Sequence, residues 1–135
     1  MLSTRLKTES KKSMTLLRVQ NLAIDVLRDG EKAHLVHDAH FSVDKGETVA
    51  IVGESGSGKS LTALAIMGLL GEGLSVAGGQ ILFEGQDLTQ LSQREHNALR
   101  GRGIAMIFQE PMTSLNPVRS IESQLTEGMR LKLGL

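Results

Sequence analysis

The chain has 135 residues, enough for one domain with a buried core, and its 15 Lys and Arg balance 15 Asp and Glu to a net charge of zero. That balance lacks the electrostatic footprint of a nucleic-acid binder, so no nucleic acid is expected as a partner. Cysteine is absent, which excludes disulfides, thiolate catalysis and zinc–sulfur sites.

The opening MLSTRLKTESKKS is polar and basic without an apolar segment, so residues 1–15 read as a disordered, solvated tail and not as a secretory signal. Residues 16–135 are left as the folded portion. From Leu16 to Val26 and from Leu35 to Val43, apolar and polar residues alternate at the strand period, with Ala39, Phe41 and Val43 sharing a face. Lys45–Glu47 is a turn. Thr48–Gly53 is continuously apolar and β-branched, the pattern of a strand buried on both faces by flanking helices, which points to an α/β fold. After Lys59, the positions Leu61, Leu64, Ala65, Met67 and Leu69 fall on one helical face, and Gly71 and Gly73 end the helix. Leu61–Leu70, the longest apolar-looking stretch, is about half of the roughly 20 residues a membrane-crossing helix needs.

Gly78–Leu88 reads as a short strand and turn. Ser92 and Glu95 form an S-x-x-E capping box that opens a helix stopping near Gly101. Ile104–Phe108 is a further strand candidate leading into Gln109. Beyond Ser120, the spacing of Ile121, Leu125 and Met129 predicts a last helix. Phe41, Phe83 and Phe108 all fall in strand patterns and are expected in the core.

GESGSGKS, comprising Gly53, Glu54, Ser55, Gly56, Ser57, Gly58, Lys59 and Ser60, matches G-x-x-x-x-G-K-[ST] between a predicted strand and a predicted helix. That is the context a phosphate-binding loop requires. Glycines at 53, 56 and 58 allow backbone conformations that let successive N–H groups converge on phosphate oxygens. The helix N-terminus adds partial positive charge. Lys59 is expected to reach the β- and γ-phosphates of a nucleoside triphosphate, and the Ser60 hydroxyl to occupy a Mg²⁺ coordination position.

GESGSGKS followed by IFQEPMTSLNPV (Ile107–Val118) resembles the N-terminal part of the ATP-binding subunits of ABC transporters. The branch it resembles imports oligopeptides, dipeptides, glutathione or nickel. RVQNLAIDV, FSVDKGETVAIVG and GGQILFEGQDL extend the resemblance from about Leu16 to the C-terminus. It implies a P-loop nucleotide-binding domain with an antiparallel β subdomain, binding ATP with Mg²⁺. It also implies that Gln109 belongs to the loop sensing the γ-phosphate, giving its side-chain oxygen to Mg²⁺ or the attacking water. Lys59 and Gln109 are then the catalytic residues, and Ser60 and Gln109 the metal ligands. A neutral amide suits that role because it offers an acceptor and donors without adding charge beside a triphosphate. Glu110–Val118 would contact membrane permease subunits, with Pro111 and Pro117 holding that loop extended. A second ATP-binding subunit would complete a dimer, peripheral to the cytoplasmic face of the inner membrane.

The chain also departs from the family pattern. The base-stacking aromatic expected near the end of the first strand region corresponds to Val26, and the chain has no Tyr or Trp. His34, His37 and His40 suggest a metal, but a regular strand sends 34 and 40 one way and 37 the other. Asp25 and Glu84 follow apolar runs as the second ATPase motif's acid does, and are read as strand ends. LSGGQ, an apolar strand ending in Asp-Glu, and a later switch histidine are absent. The chain is accordingly expected to be a truncated domain, poorly soluble and without turnover by itself, because its phosphate-loop strand would lack a neighbour. Two rivals remain: a small kinase using Arg94, Arg100 and Arg102 as phosphate clamps, and a non-catalytic nucleotide-binding or interaction fragment.

Overall fold

The computed structural model describes residues 2–5, 15–110 and 114–134. Its centre is a hairpin of two 14-residue strands, β2 (Thr15–Arg28) and β3 (Glu31–Asp44). Asp29 and Gly30 close it, both at positive φ (54° and 82°), the two-residue turn whose twist matches that of the flanking strands. A further antiparallel strand, β5 (Leu74–Phe83), lies against the other edge of β2. The short β6 (Gln86–Asp87) completes a four-stranded sheet in the order β3-β2-β5-β6.

The sheet does not keep strict alternation. Asn21 in β2, Asp38 in β3 and Gly79 in β5 adopt left-handed φ of 48°, 46° and 82°, and register shifts interrupt the pairing on both sides of β2. Bulges of this kind carry side chains to the opposite face. They explain why Val19, Leu22 and Ile24 are all buried, together with Val36 and Ala39, at spacings of two and three instead of two throughout. Ile81, Phe83, Leu88 and Ala65 complete this core. Phe41 packs against it, whereas Phe108, expected inside, is half exposed.

Helix α1 (Lys59–Met67) lays Ala65 into the core and buries Thr62 fully, the Thr62 hydroxyl donating to Gly58 O at 2.9 Å. It ends at Gly68 (φ 63°), earlier than the Gly71–Gly73 end read from the sequence. A single 3₁₀ turn (Leu88–Gln90) leads to α2 (Gln93–Leu99), which opens with the expected capping box: Ser92 N–H donates to Glu95 Oε2 at 2.7 Å and Glu95 N–H to Ser92 Oγ at 3.4 Å. Helix α3 (Ile121–Leu133) begins at an Ser120 cap and buries none of its residues.

Three expectations are overturned. Leu2–Arg5, assigned to a solvated tail, forms β1 and pairs antiparallel with β4 (Val49–Val52), in register from Leu2↔Val52 to Arg5↔Val49. β4 is not covered on both faces: its burial alternates and Val52 is half exposed, because among the described residues its strand partner is β1 and not the main sheet. Ile104–Phe108 is not a strand. Ile104 makes one parallel bridge with Arg100, and with no neighbouring strand among the described residues to receive those that follow, Ile107 stands 96% exposed.

Candidate functional site

The motif residues form a loop closed around its own lysine. Lys59 Nζ donates to Gly53 O and Glu54 O, both at 2.7 Å, and to Ser57 Oγ at 3.2 Å. Ser57 N–H bonds Glu54 O at 3.2 Å, which tightens the turn. Two glycines are required on steric grounds. Gly56 has φ 81°. Gly58 has φ 86°, and a Cβ there would stand 2.6 Å from Val36 Cγ2, so the loop rests directly on β3. Gly53 is constrained from inside the loop: a Cβ would lie 2.6 Å from Ser57 Oγ. Glu54, Ser55 and Ser60 are exposed around the rim.

Helix α1 rises from this loop with no side-chain cap at its N-terminus and no acidic residue in its first turn. Its leading N–H groups and positive dipole end are therefore matched by no carboxylate from its own sequence. A lysine with carbonyl partners, left-handed glycines and an uncapped helix start together form an arrangement that can cradle a polyphosphate anion. The residues present fit such a group: the backbone curvature depends on missing Cβ atoms, and the rim carries the Ser60 hydroxyl.

The opposite end of α1 is satisfied differently. Arg100 donates from Nε to Met67 O at 2.8 Å and from Nη2 to Gly68 O at 2.7 Å, while Nη1 reaches Asn97 Oδ1 at 2.7 Å. Buried His96 packs against Gly68, where a Cβ would come within 2.7 Å of the imidazole. Burial first, and the Arg100 guanidinium second, hold His96 below its ordinary pKa of 6.5. Hydrogen bonds from Ser92 hold the Glu95 carboxyl below its usual range. Sequence reasoning did not find this socket; the one signal, an arginine one position before a helix-ending glycine, is weak.

Gln109 is exposed, and no hydrogen bond joins it to the phosphate loop among the described residues. It lines an open cavity of about 530 Å³ with Phe108, Glu110 and Ser114. Pro111 lies outside the described residues. Pro117 does not hold an extended loop: it sits in a turn closed by Arg119 N–H on Asn116 O at 3.2 Å, with Asn116 Oδ1 accepting from Val118 N–H at 3.0 Å. An asparagine followed by proline favours such a turn.

Val26 is half-buried within β2. Asp25 is not the strand's end: β2 runs on to Arg28, and Asp25 is buried within it, 2.6 Å from His34 Nδ1. The histidines also depart from strict alternation. The register shift between Ile24↔Val36 and Asp25↔His34 brings the His34 and His37 rings to a 5.5 Å separation. Among the described residues no group of three or more acidic, His or Cys side chains is arranged to hold a metal.

The profile of the family described as "ABC transporter" matches residues 36–133. The chain belongs to that family. Similar ABC proteins include the oligopeptide transport ATP-binding protein AppD of Bacillus subtilis, 50% identical over 114 residues, covering 84% of this chain and 35% of the relative. The dipeptide transport ATP-binding protein DppD of Bacillus subtilis is 47% identical over 115 residues, covering 84% and 34%. The glutathione import ATP-binding protein GsiA of Pectobacterium atrosepticum is 48% identical over 122 residues, covering 86% and 20%. The chain thus spans about a third of the length of the two Bacillus ABC relatives. Among its described residues no helix is long and apolar enough to cross a membrane.

Proposed function

We propose that this chain is the nucleotide-gripping portion of an ATP-binding subunit that energises import of peptides or related small solutes. The observation that carries the reading is the closed loop Gly53–Ser60, with the Lys59 ammonium inside its curve and an uncapped helix start above it. The relatives' names, which specify oligopeptide, dipeptide and glutathione import, support the solute class.

In the intact subunit, backbone N–H groups of the loop and the first turn of α1 would hold the phosphates of ATP, with Lys59 moving from the loop carbonyls to phosphate oxygens. Ser60 and Gln109 would hold Mg²⁺. When bound, Mg²⁺ neutralises phosphate charge and so lowers the barrier to attack by water. Gln109 would orient that water through its amide, and its exposed position leaves it room to approach and withdraw. No covalent enzyme intermediate is required, since positioning and charge neutralisation carry phosphoryl transfer. A second ATP-binding subunit would complete each site, and Glu110–Val118 would transmit nucleotide state to membrane permease subunits, the protein lying peripherally on the cytoplasmic face.

The kinase reading loses two of its three clamps: Arg100 is spent on the end of α1, and Arg102 donates to Lys132 O. Nucleotide binding without turnover is a second reading, favoured by the exposed setting of Gln109, which among the described residues makes no hydrogen bond to the loop. Phosphate release against ATP titration separates the two. Lys59→Ala in the intact subunit is expected to abolish phosphate release, and unchanged turnover would remove the site assignment.

A further inference from the structure

Four carbonyls at the C-terminal end of α1 have identified partners. Leu64 O accepts from Leu69 N–H at 2.8 Å and Ala65 O from Gly68 N–H at 3.0 Å, the bonds that close a helix ending on a left-handed glycine. Met67 O and Gly68 O remain beyond them, and the Arg100 guanidinium takes both. α1 carries no basic residue in its own last turn, so this cation from beyond α2 meets the negative end of its dipole. The helix is thus matched by charge at the end away from the cradle, while its first turn carries no acidic residue of its own.

Arg100 faces a second structure as well. Immediately after it the chain turns back: Gly101 N–H bonds Ile104 O at 2.9 Å, Gly103 N–H bonds Leu99 O at 2.8 Å, and Arg100 bridges Ile104. Five residues beyond Ile104 stands Gln109. One residue therefore joins the helix that presents Lys59 and Ser60 to the segment that delivers the glutamine. We infer that Arg100 is a positioning residue for ATP turnover, setting the phosphate cradle against Gln109 through the C-terminal end of α1. This rests on the function proposed above.

Its role is geometric, so loss should appear in kcat more than in KM: each half of the site survives and their alignment does not. The test measures kcat, KM for MgATP and thermal melting of the intact subunit assembled with its permease, for Arg100→Gln, Arg100→Lys and, as reference, Lys59→Ala. Arg100→Gln is expected to lower kcat about tenfold or more with KM changed less than about threefold. Arg100→Lys keeps the charge but lacks the planar fork that meets two carbonyls, so its kcat should fall between the two. If the glutamine variant does not fold, the lysine variant decides, a loss of about threefold or more supporting the inference. A lowered melting temperature with kcat per folded subunit within twofold of the parent would overturn it, as would a raised KM at unchanged kcat. If Lys59→Ala abolishes turnover while both Arg100 variants keep it, this inference alone fails; if Lys59→Ala retains full turnover, the reading of the site fails with it.

Discussion

Two stretches of this chain stand in opposite relation to water. Among the residues whose burial is described, all the buried ones lie between Thr15 and Ile104, the apolar core gathered where the four-stranded sheet meets α1 and the 3₁₀ turn. From Ala105 to Gly134 no described residue is buried, although Ile107, Val118, Leu125, Leu131 and Leu133 are as apolar as anything in the core, Val118 being 88% exposed. The phosphate loop sits on the first stretch and Gln109 on the second. The contrast teaches that the cradle is preformed by packing on β3, whereas the segment that carries the glutamine is tied to the core only as far as Ile104.

Amide exchange would break or sharpen this contrast most directly. Leu22 is fully buried at the centre of the sheet, and Leu22→Ala is expected to lower the opening free energy read from β2 and β5 amides by about 2–5 kcal/mol. α3 amides should be indifferent. They are expected to exchange at near the rate of a free peptide even in the parent, since a 13-residue helix without buried contacts is marginal in water; strong protection there would erase the distinction between the two stretches. Gly58→Ala combines a left-handed φ with a collision against Val36, and should cost about 2–4 kcal/mol in the same measurement while weakening ATP affinity.

A smaller effect tests the socket at the far end of α1. His96 binds its proton less readily folded than unfolded, so stability is full above about pH 6.5, the unfolded-state value, and falls as pH drops through the folded-state pKa. The urea midpoint should therefore be flat from pH 8 to 7 and decline toward pH 5, and His96→Gln should flatten that decline. Smallest of all, Leu125→Ser and Leu131→Ser on α3 are expected to change stability by less than about 0.5 kcal/mol while raising solubility.

Much of the first stretch was legible in the sequence. GESGSGKS gave the loop and Ser92 and Glu95 gave the start of α2, because caps and glycine-rich turns are decided within a few residues; in the second stretch the spacing of Ile121, Leu125 and Met129 gave α3. The errors lie where neighbours decide. Val49–Val52 reads as a covered strand because its apolar run is continuous, yet what pairs with it is set elsewhere in the chain. Ile104–Phe108 has a strand's composition but, among the described residues, no strand partner beyond the bridge from Ile104 to Arg100. Strict two-residue alternation misplaced His37 because left-handed Asp38 and the shifted pairing at Leu35 are not visible in a hydrophobic pattern. Asp29-Gly30, a strong hairpin signal, was legible and would have joined the two predicted strands.

The three left-handed positions Asn21, Asp38 and Gly79 fix how the sheet is indexed. Sliding β5 by one residue would either drive a Gln80 side chain toward the Gln20 and Asn21 carbonyls, where a Cβ has only 2.4 Å, or seat Gly78 there and turn Ile81 and Phe83 out into water. Neither misalignment is tolerable, so the strands have one way to mesh. Since Val36 bears on Gly58, that single meshing also sets the height at which the phosphate loop stands.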